Sequence, residues 1–247
     1  MEFSSHTLAL RNQFSELMSS LRLEDEAVNC KVISADWARL PSREYALMRG
    51  KEVILHCEIG SWCGQAFTDN PQPFTGKVKD VARMPLTKSG NRAIFFAALN
   101  ALMHAAGRID GTLHCKGTDA EKCGELLVNH IVERFGKAKV LHVGFQPGHV
   151  KALASALTTV YVTDLNSENV GKVKHGVKIL DGRLNRKLIK KVDVVYITGS
   201  AIVNGTLFPL LAYCSKLDRK CVLYGVTAKG AAKILGYEVF CPYGRNG

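Results

Sequence analysis

From residue 139 to the carboxyl end, short β-like runs alternate with helical runs, and no other feature narrows the fold as much. KVLHV (139–143), TVYVTD (159–164), VDVVYIT (192–198), KCVLYG (220–225) and YEVFC (237–241) read as strands. Between them GHVKALASAL, a run through about Thr206–Ser215 and TAKGAAKILG read as helices. Strands joined through helices by short turns imply a parallel sheet covered on its faces, an α/β architecture.

The first half has a different rhythm. Apolar residues at helical spacing (Leu8, Leu10, Phe14, Leu17, Met18, Leu21) predict an amphipathic helix over 6–22. CKVIS (30–34) and EVILHCEI (52–59) predict strands, and the glycine- and proline-punctuated stretch 60–76 predicts loop or strand ends. Ser89 or Asn91 can cap a helix through RAIFFAALNALMHAAG that Gly107 ends. The expected organisation is a small α+β domain over 1–112 and an α/β domain over 113–247. In the second, Thr118-Asp-Ala-Glu121 has capping-box spacing for a helix running to Phe135.

Composition bounds the function classes. A net charge of +11 favours anionic partners, but the lysines are scattered and no nucleic-acid-reading motif accompanies them. An anionic small molecule or metal complex is therefore expected as partner, nucleic acid is not, and a homo-oligomer is allowed. No apolar run reaches the roughly 20 residues that span a bilayer, and the acid-containing amino terminus does not look like a signal peptide. Cytoplasm is the expected location. The 8 cysteines should then be reduced thiols. Cys30, Cys57, Cys214 and Cys221 fit core positions.

Three strand ends carry turn chemistry, and ligands of such sheets bind beyond the carboxyl ends of the strands. VGFQPGH offers Gly144, Gln146 and Gly148 around a helix start, where backbone N–H groups attract anions. Asp164 ends the second strand, where a ribose-binding acid sits in many nucleotide sites. ITGSAIVNGT places Thr198, Gly199 and Ser200 after a strand and Asn204, Gly205 and Thr206 before a helix, giving close backbone approach and neutral hydrogen bonds.

HCKGTDAEKC raises the question of soft-metal ligands. Cys115 lies in a loop and Cys123 near a helix start, settings that favour exposure and thiolate, and Cys241 ends the last strand on the ligand-facing edge. The three are expected as ligands of a soft or borderline metal ion or an iron–sulfur cluster, with His114 or Cys63 as a fourth. A dithiol used in redox or sulfur transfer is a second use of the same residues.

VGFQPGHVKAL, VTDLNSENVG, DVVYITGSAIVNGTL, VLYGVTAKGAAKILG and FCPYG resemble the Rossmann-like part of the putative heavy-metal chelation family. GQAFTDNPQPFTGKVKD and AIFFAALNAL resemble that family's smaller enolase-amino-terminal-like domain. The resemblance implies two domains that share a cleft and bind a heavy metal or metal complex. The alternative is a nucleotide- or S-adenosylmethionine-dependent transferase using Gly144, Gly148 and Asp164. A non-catalytic scaffold or metallochaperone is a third reading. There is no Ser-His-Asp order, HExxH or Walker motif.

Overall fold

A computed structural model describes residues 5–50 and 52–246. The chain opens with α1 (Ser5–Ser20), whose Leu10, Phe14 and Leu17 form one buried stripe. Then come β1 (Ala27–Ile33), the short α2 (Ala35–Ala38), β2 (Val53–Ile59), β3 (Trp62–Thr68), β4 (Phe74–Lys77), α3 (Val78–Arg83) and α4 (Ser89–Ala105). The strands form an antiparallel sheet of order β3-β2-β1-β4. Stretch 60–76, expected as loop or strand ends, holds all of β3 and most of β4. Gly64 interrupts the pattern there because a Cβ would fall inside the Ala97 carbonyl oxygen of α4. The sheet needs a residue without a side chain where the helix crosses it.

The antiparallel register sets Cys30 opposite Cys57. They are joined as a disulfide, with Cα atoms 4.0 Å apart, where the sequence led to reduced thiols. Cys214 is buried in the core as expected, and Cys221 packs against it.

The remaining elements are α5 (Asp119–Phe135), β5 (Val140–Val143), α6 (Pro147–Ala156), β6 (Val160–Asp164), β7 (Val173–Lys174), β8 (Val177–Asp181), α7 (Asn185–Ile189), β9 (Val194–Thr198), α8 (Ser200–Asn204), α9 (Leu207–Lys216), β10 (Lys220–Tyr224), α10 (Lys229–Leu235) and β11 (Glu238–Phe240). The hairpin partners β7 and β8 and the short helices α7 and α8 lie in stretches without a clear period in the sequence. The spacing expected to give α5 a capping box does not do so: Thr118 makes no side-chain cap, and Asp119 instead pairs with Arg245, 2.6 Å away.

The second sheet runs β11-β10-β9-β5-β6-β8-β7, parallel except for the β7–β8 hairpin. Numbering its six parallel strands along the chain gives the order 6-5-4-1-2-3, that of the doubly wound dinucleotide-binding sheet. The direction of winding reverses between β5 and β9, and a crevice opens there.

Helix α4 explains how the two sheets stay together. It is buried nearly all round, because one side covers the antiparallel sheet and the other meets α8 and α10. Asn100, 1% exposed, is its one strongly polar buried group. Its Nδ2 donates to the carbonyls of Gln65 (3.1 Å) and Val226 (3.0 Å), and its Oδ1 accepts from Gly230 N–H (2.8 Å). One side chain therefore ties β3 to the loop after β10. The linker is held as well: Thr112 donates through Oγ1 to Cys63 O (2.7 Å), and Leu113 pairs with Arg245.

Candidate functional site

The crevice between β5 and β9 is roofed by the first half of the chain, which closes it into a cavity of about 740 Å³. Leu40, Tyr45, Leu47, Glu52, Phe67 and Asp69 come from the antiparallel part; the strand ends and helix starts of the parallel sheet supply the rest. The roof is anchored from outside the cavity by Glu44, which pairs with Lys174 (2.7 Å) and His175 (3.1 Å).

Twelve of the thirteen residues singled out in the sequence line this cavity; Gly148 does not. Gly148 lets α5 and α6 cross closely, since a Cβ there would meet the Ala120 carbonyl. Gly144 has φ +95°, and a Cβ would lie 2.8 Å from Tyr224 Oη and 2.9 Å from Thr198 Cγ2. Gln146 caps α6: its Oε1 accepts from His149 N–H and its Nε2 donates to Ala120 O at 3.1 Å. The free N–H groups expected at this helix start are therefore fewer than the sequence suggested, Pro147 having none.

Asp164 stands at the end of the second parallel strand, as a ribose-binding acid would. Its carboxylate is already engaged, accepting from Phe145 N–H (3.0 Å), Asn166 N–H (2.8 Å) and Asn169 Nδ2 (3.0 Å). Thr198 and Ser200 hydroxyls lie 3.0 Å apart. Gly199 packs on the loop after β10, where a Cβ would meet Ala228 N at 2.9 Å. Asn204 Oδ1 accepts from Thr206 N–H (3.0 Å) and Oγ1 (2.7 Å), closing a turn at Gly205 on the cavity rim.

The three cysteines share the cavity and are partly exposed, yet thiolate character is not found. Burial pushes the Cys115 thiol up to about 12, reinforced by Cys241 and Asp119. Cys123 and Cys241 are likewise raised, chiefly by burial. Cys123 sits one turn inside α5, too far along for the helix end to lower it. His114 is partly buried, donates through Nδ1 to Cys115 O at 2.6 Å, and is held down to about 4 by desolvation. Cys63 does not line the cavity. Among the described residues no group of three or more His, Cys, Asp or Glu side chains is arranged to hold a metal ion. Three thiols without a closed donor set fall short of the four-ligand shell that a structural metal ion or an iron–sulfur cluster takes.

Sequence reasoning missed several groups. His142 and His149, both buried, join Cys123 in one chain of hydrogen bonds: His142 Nδ1 to Gly144 O (2.8 Å), His142 Nε2 to His149 Nδ1 (3.0 Å), His149 Nε2 to Cys123 Sγ (3.2 Å). Burial holds His142 down to about 4, and burial with His142 beside it holds His149 well below the ordinary histidine value, so both rings are neutral. Tyr224 stacks on His142, and its hydroxyl donates toward the Val143 and Gly144 carbonyls, each 3.0 Å away. Burial, with Asp164 and Asp69 close by, pushes Glu52 up to about 7. Two buried polar atoms on the wall make no hydrogen bond of ordinary geometry: Tyr45 Oη, which has the Gly148 amide nearby, and Asn169 Oδ1. The only signal for these in the sequence is a pair of histidines flanking the Gly144 turn.

Fold and cavity together define a doubly wound α/β protein with a ligand-sized chamber at its switch point. Residues 127–239 match a family model, DUF364, described as putative heavy-metal chelation; the match lies within the parallel-sheet part. Two solved structures of DUF364 proteins of unknown function share the fold. The one from Pyrococcus horikoshii is 18% identical with TM-score 0.57, the alignment covering 89% of this chain and 78% of that one. The one from Desulfitobacterium hafniense DCB-2 is 12% identical with TM-score 0.57, covering 93% and 83%. No curated protein matches the chain. No helix among the described residues is long and apolar enough to cross a membrane.

Proposed function

We propose that the protein binds a metal complex, a metal already held by a small anionic organic molecule, in the chamber between its two sheets. The observation that carries this is a mismatch. A cavity of about 740 Å³ is far larger than an ion needs and lies in the range of small-molecule sites, while its thiols form no closed ligand set. Cys123 lies 3.2 Å from His149, and Cys115 makes only a long 3.7 Å contact to His114, so Cys115 and Cys241 are the thiols we assign to a soft metal at the ligand's edge. Tyr45 Oη and Asn169 Oδ1 supply unsatisfied hydrogen-bonding capacity for the organic part. The family description is consistent with this reading and does not specify it.

Calorimetry and equilibrium dialysis with cobalt(II), nickel(II) and iron(III), each as the free ion and as the citrate complex, test it. The complexes should bind stoichiometrically and the free ions should dialyse away. Retention of free ions as firmly as complexes, or no binding of either, would sink the proposal. The strand order favours one further reading, a nucleotide or S-adenosylmethionine site; the same calorimeter with those ligands decides it, with Asp164→Ala as control.

A further inference from the structure

The hydrogen-bond chain at the thiol end fixes its own protons. A carbonyl oxygen only accepts, so His142 Nδ1 carries the hydrogen given to Gly144 O. His142 Nε2 is then bare and accepts, which puts the next hydrogen on His149 Nδ1. His149 Nε2 is bare in turn, 3.2 Å from Cys123 Sγ, so the thiol proton points at an imidazole lone pair. One backbone carbonyl thus dictates both tautomers. The result has the logic of a catalytic triad: a nucleophile, a base within reach, and a third group that orients the base. Cys123 and His149 both line the cavity, and so does Tyr45, which is 6% exposed with its hydroxyl unpartnered. A sulfur, a base and a spare O–H donor at one end of a chamber are the parts that acyl transfer requires.

We propose that Cys123 is a nucleophile toward a carboxylic ester or thioester bound in the cavity, with His149 as its general base and His142 as the positioning residue. Sulfur attacks the acyl carbon and the S–C bond forms. The thiol proton passes to His149 Nε2. The bond to the leaving oxygen or sulfur breaks, and His149 returns the proton to that atom. A thioester on Cys123 and a free alcohol or thiol result, with no change of oxidation state. The Tyr45 hydroxyl donates to the carbonyl oxygen as it gains charge. At rest burial keeps both groups neutral, with Cys241, Cys115 and Asp119 facing the sulfur and His142 and the Tyr224 ring facing the base; these oppose a standing thiolate, so His149 takes the proton only as the S–C bond forms. This goes beyond metal-complex binding and does not depend on it.

The probe is p-nitrophenyl acetate with the metal-free full chain. A stoichiometric burst of p-nitrophenolate is expected, with the acetyl group found by peptide mass spectrometry on Cys123 and not on Cys115 or Cys241. The burst should be slower in heavy water, since a proton moves in the step. His149→Gln should slow acetylation by about 10²–10⁴-fold. His142→Phe, which keeps a ring but removes the acceptor, should slow it less and move its pH dependence to higher pH; a packing role would leave that dependence in place. Acetyl spread evenly over the three cysteines, or an unchanged rate in a folded His149→Gln, overturns the proposal. If His149→Gln does not fold, the position of the acetyl group and the heavy-water effect in the parent decide it. Loss of metal-complex binding leaves this result untouched, so the two proposals fail separately.

Discussion

At one end of the chamber Cys115, Cys123, His114 and His149 are all neutral because burial penalises their charged forms; at the other, Glu52, Asp69 and Asp164 crowd three carboxyl groups together. Tyr224 lies between and feels both Asp164 and Cys123. The same desolvation acts at each end with opposite consequences for stability. A buried neutral histidine resists protonation as pH falls, whereas Glu52 resists ionisation as pH rises. The ends also differ in commitment. Asp164 spends its oxygens holding the turns after β5 and β6, while the thiol end keeps Cys123 within 3.2 Å of His149 and a buried Tyr45 hydroxyl without a partner. A polar residue at a strand end is therefore a weak guide to a ligand contact until its hydrogen bonds have been counted.

The largest expected effect separates the two ends by pH. Between pH 6.5 and about 4 an unfolded chain protonates histidines that His114 and His142 keep neutral in the fold, so the unfolded state binds more protons and stability falls on acidification. His149 adds to the same slope. At roughly 1.4 kcal/mol per pH unit per group, the loss reaches several kcal/mol, enough to unfold a typical domain. A melting temperature that stays flat from pH 6.5 to 4.5 would contradict this. Next in size is Gly124→Ala, which strikes the thiol end alone. The new Cβ would fall inside the Gly148 carbonyl, forcing α5 and α6 apart and pulling Cys123 from His149. Overpacking of this kind costs about 1–3 kcal/mol; a Tm equal to the parent's would show that the helices do not cross as described.

Glu52→Gln tests the carboxylate end with the reverse sign. Glu52 has its pKa raised to about 7 from an ordinary 4.5, so across that window the folded state holds a proton the unfolded state has lost. Stability then falls as pH rises from 4.5 to 7 and levels off above. The substitution removes that decline, leaving the variant more stable than the parent at pH 8 by up to about 3 kcal/mol, and makes its acid loss steeper because the opposing slope has gone. Parallel Tm–pH curves for parent and variant would show that Glu52 is solvated and unperturbed.

Much of the fold was legible because period and punctuation agreed: β5, β6, β9, β10, β11 and the helices α6, α9 and α10 were anticipated to within two residues or so, while β7, β8, α7 and α8 were not, and Leu10, Phe14 and Leu17 announced α1. β3 was hidden because Gly64 looks like a strand breaker until α4 is seen pressed on it. The disulfide was hidden because residues 30 and 57 meet only through β-sheet register. The convergence of residues 115, 123 and 241 on one cavity was anticipated; their protonation was not, since burial is a property of the assembled fold. His149 was visible in PGH but mute, as its partners His142 and Cys123 are set by the pairing of β5 and the crossing of α5 with α6.

The smallest effect contrasts two tyrosines on the same wall. Tyr224 Oη donates toward carbonyls at 3.0 Å, so Tyr224→Phe removes those bonds, leaving Gly144 O the His142 ring as donor, and should cost about 1 kcal/mol. Tyr45 Oη, almost equally buried, has no partner, so the parent already bears the penalty of an unsatisfied hydroxyl. Tyr45→Phe should therefore leave the Tm unchanged or raise it by the equivalent of up to about 1 kcal/mol. Natural proteins keep such a group where something other than the fold uses it. A Tyr45→Phe variant that loses stability as Tyr224→Phe does would mean the hydroxyl has a structural partner and is not held in reserve for a ligand. A variant that keeps its stability yet acetylates Cys123 more slowly would place the hydroxyl at the reacting carbonyl.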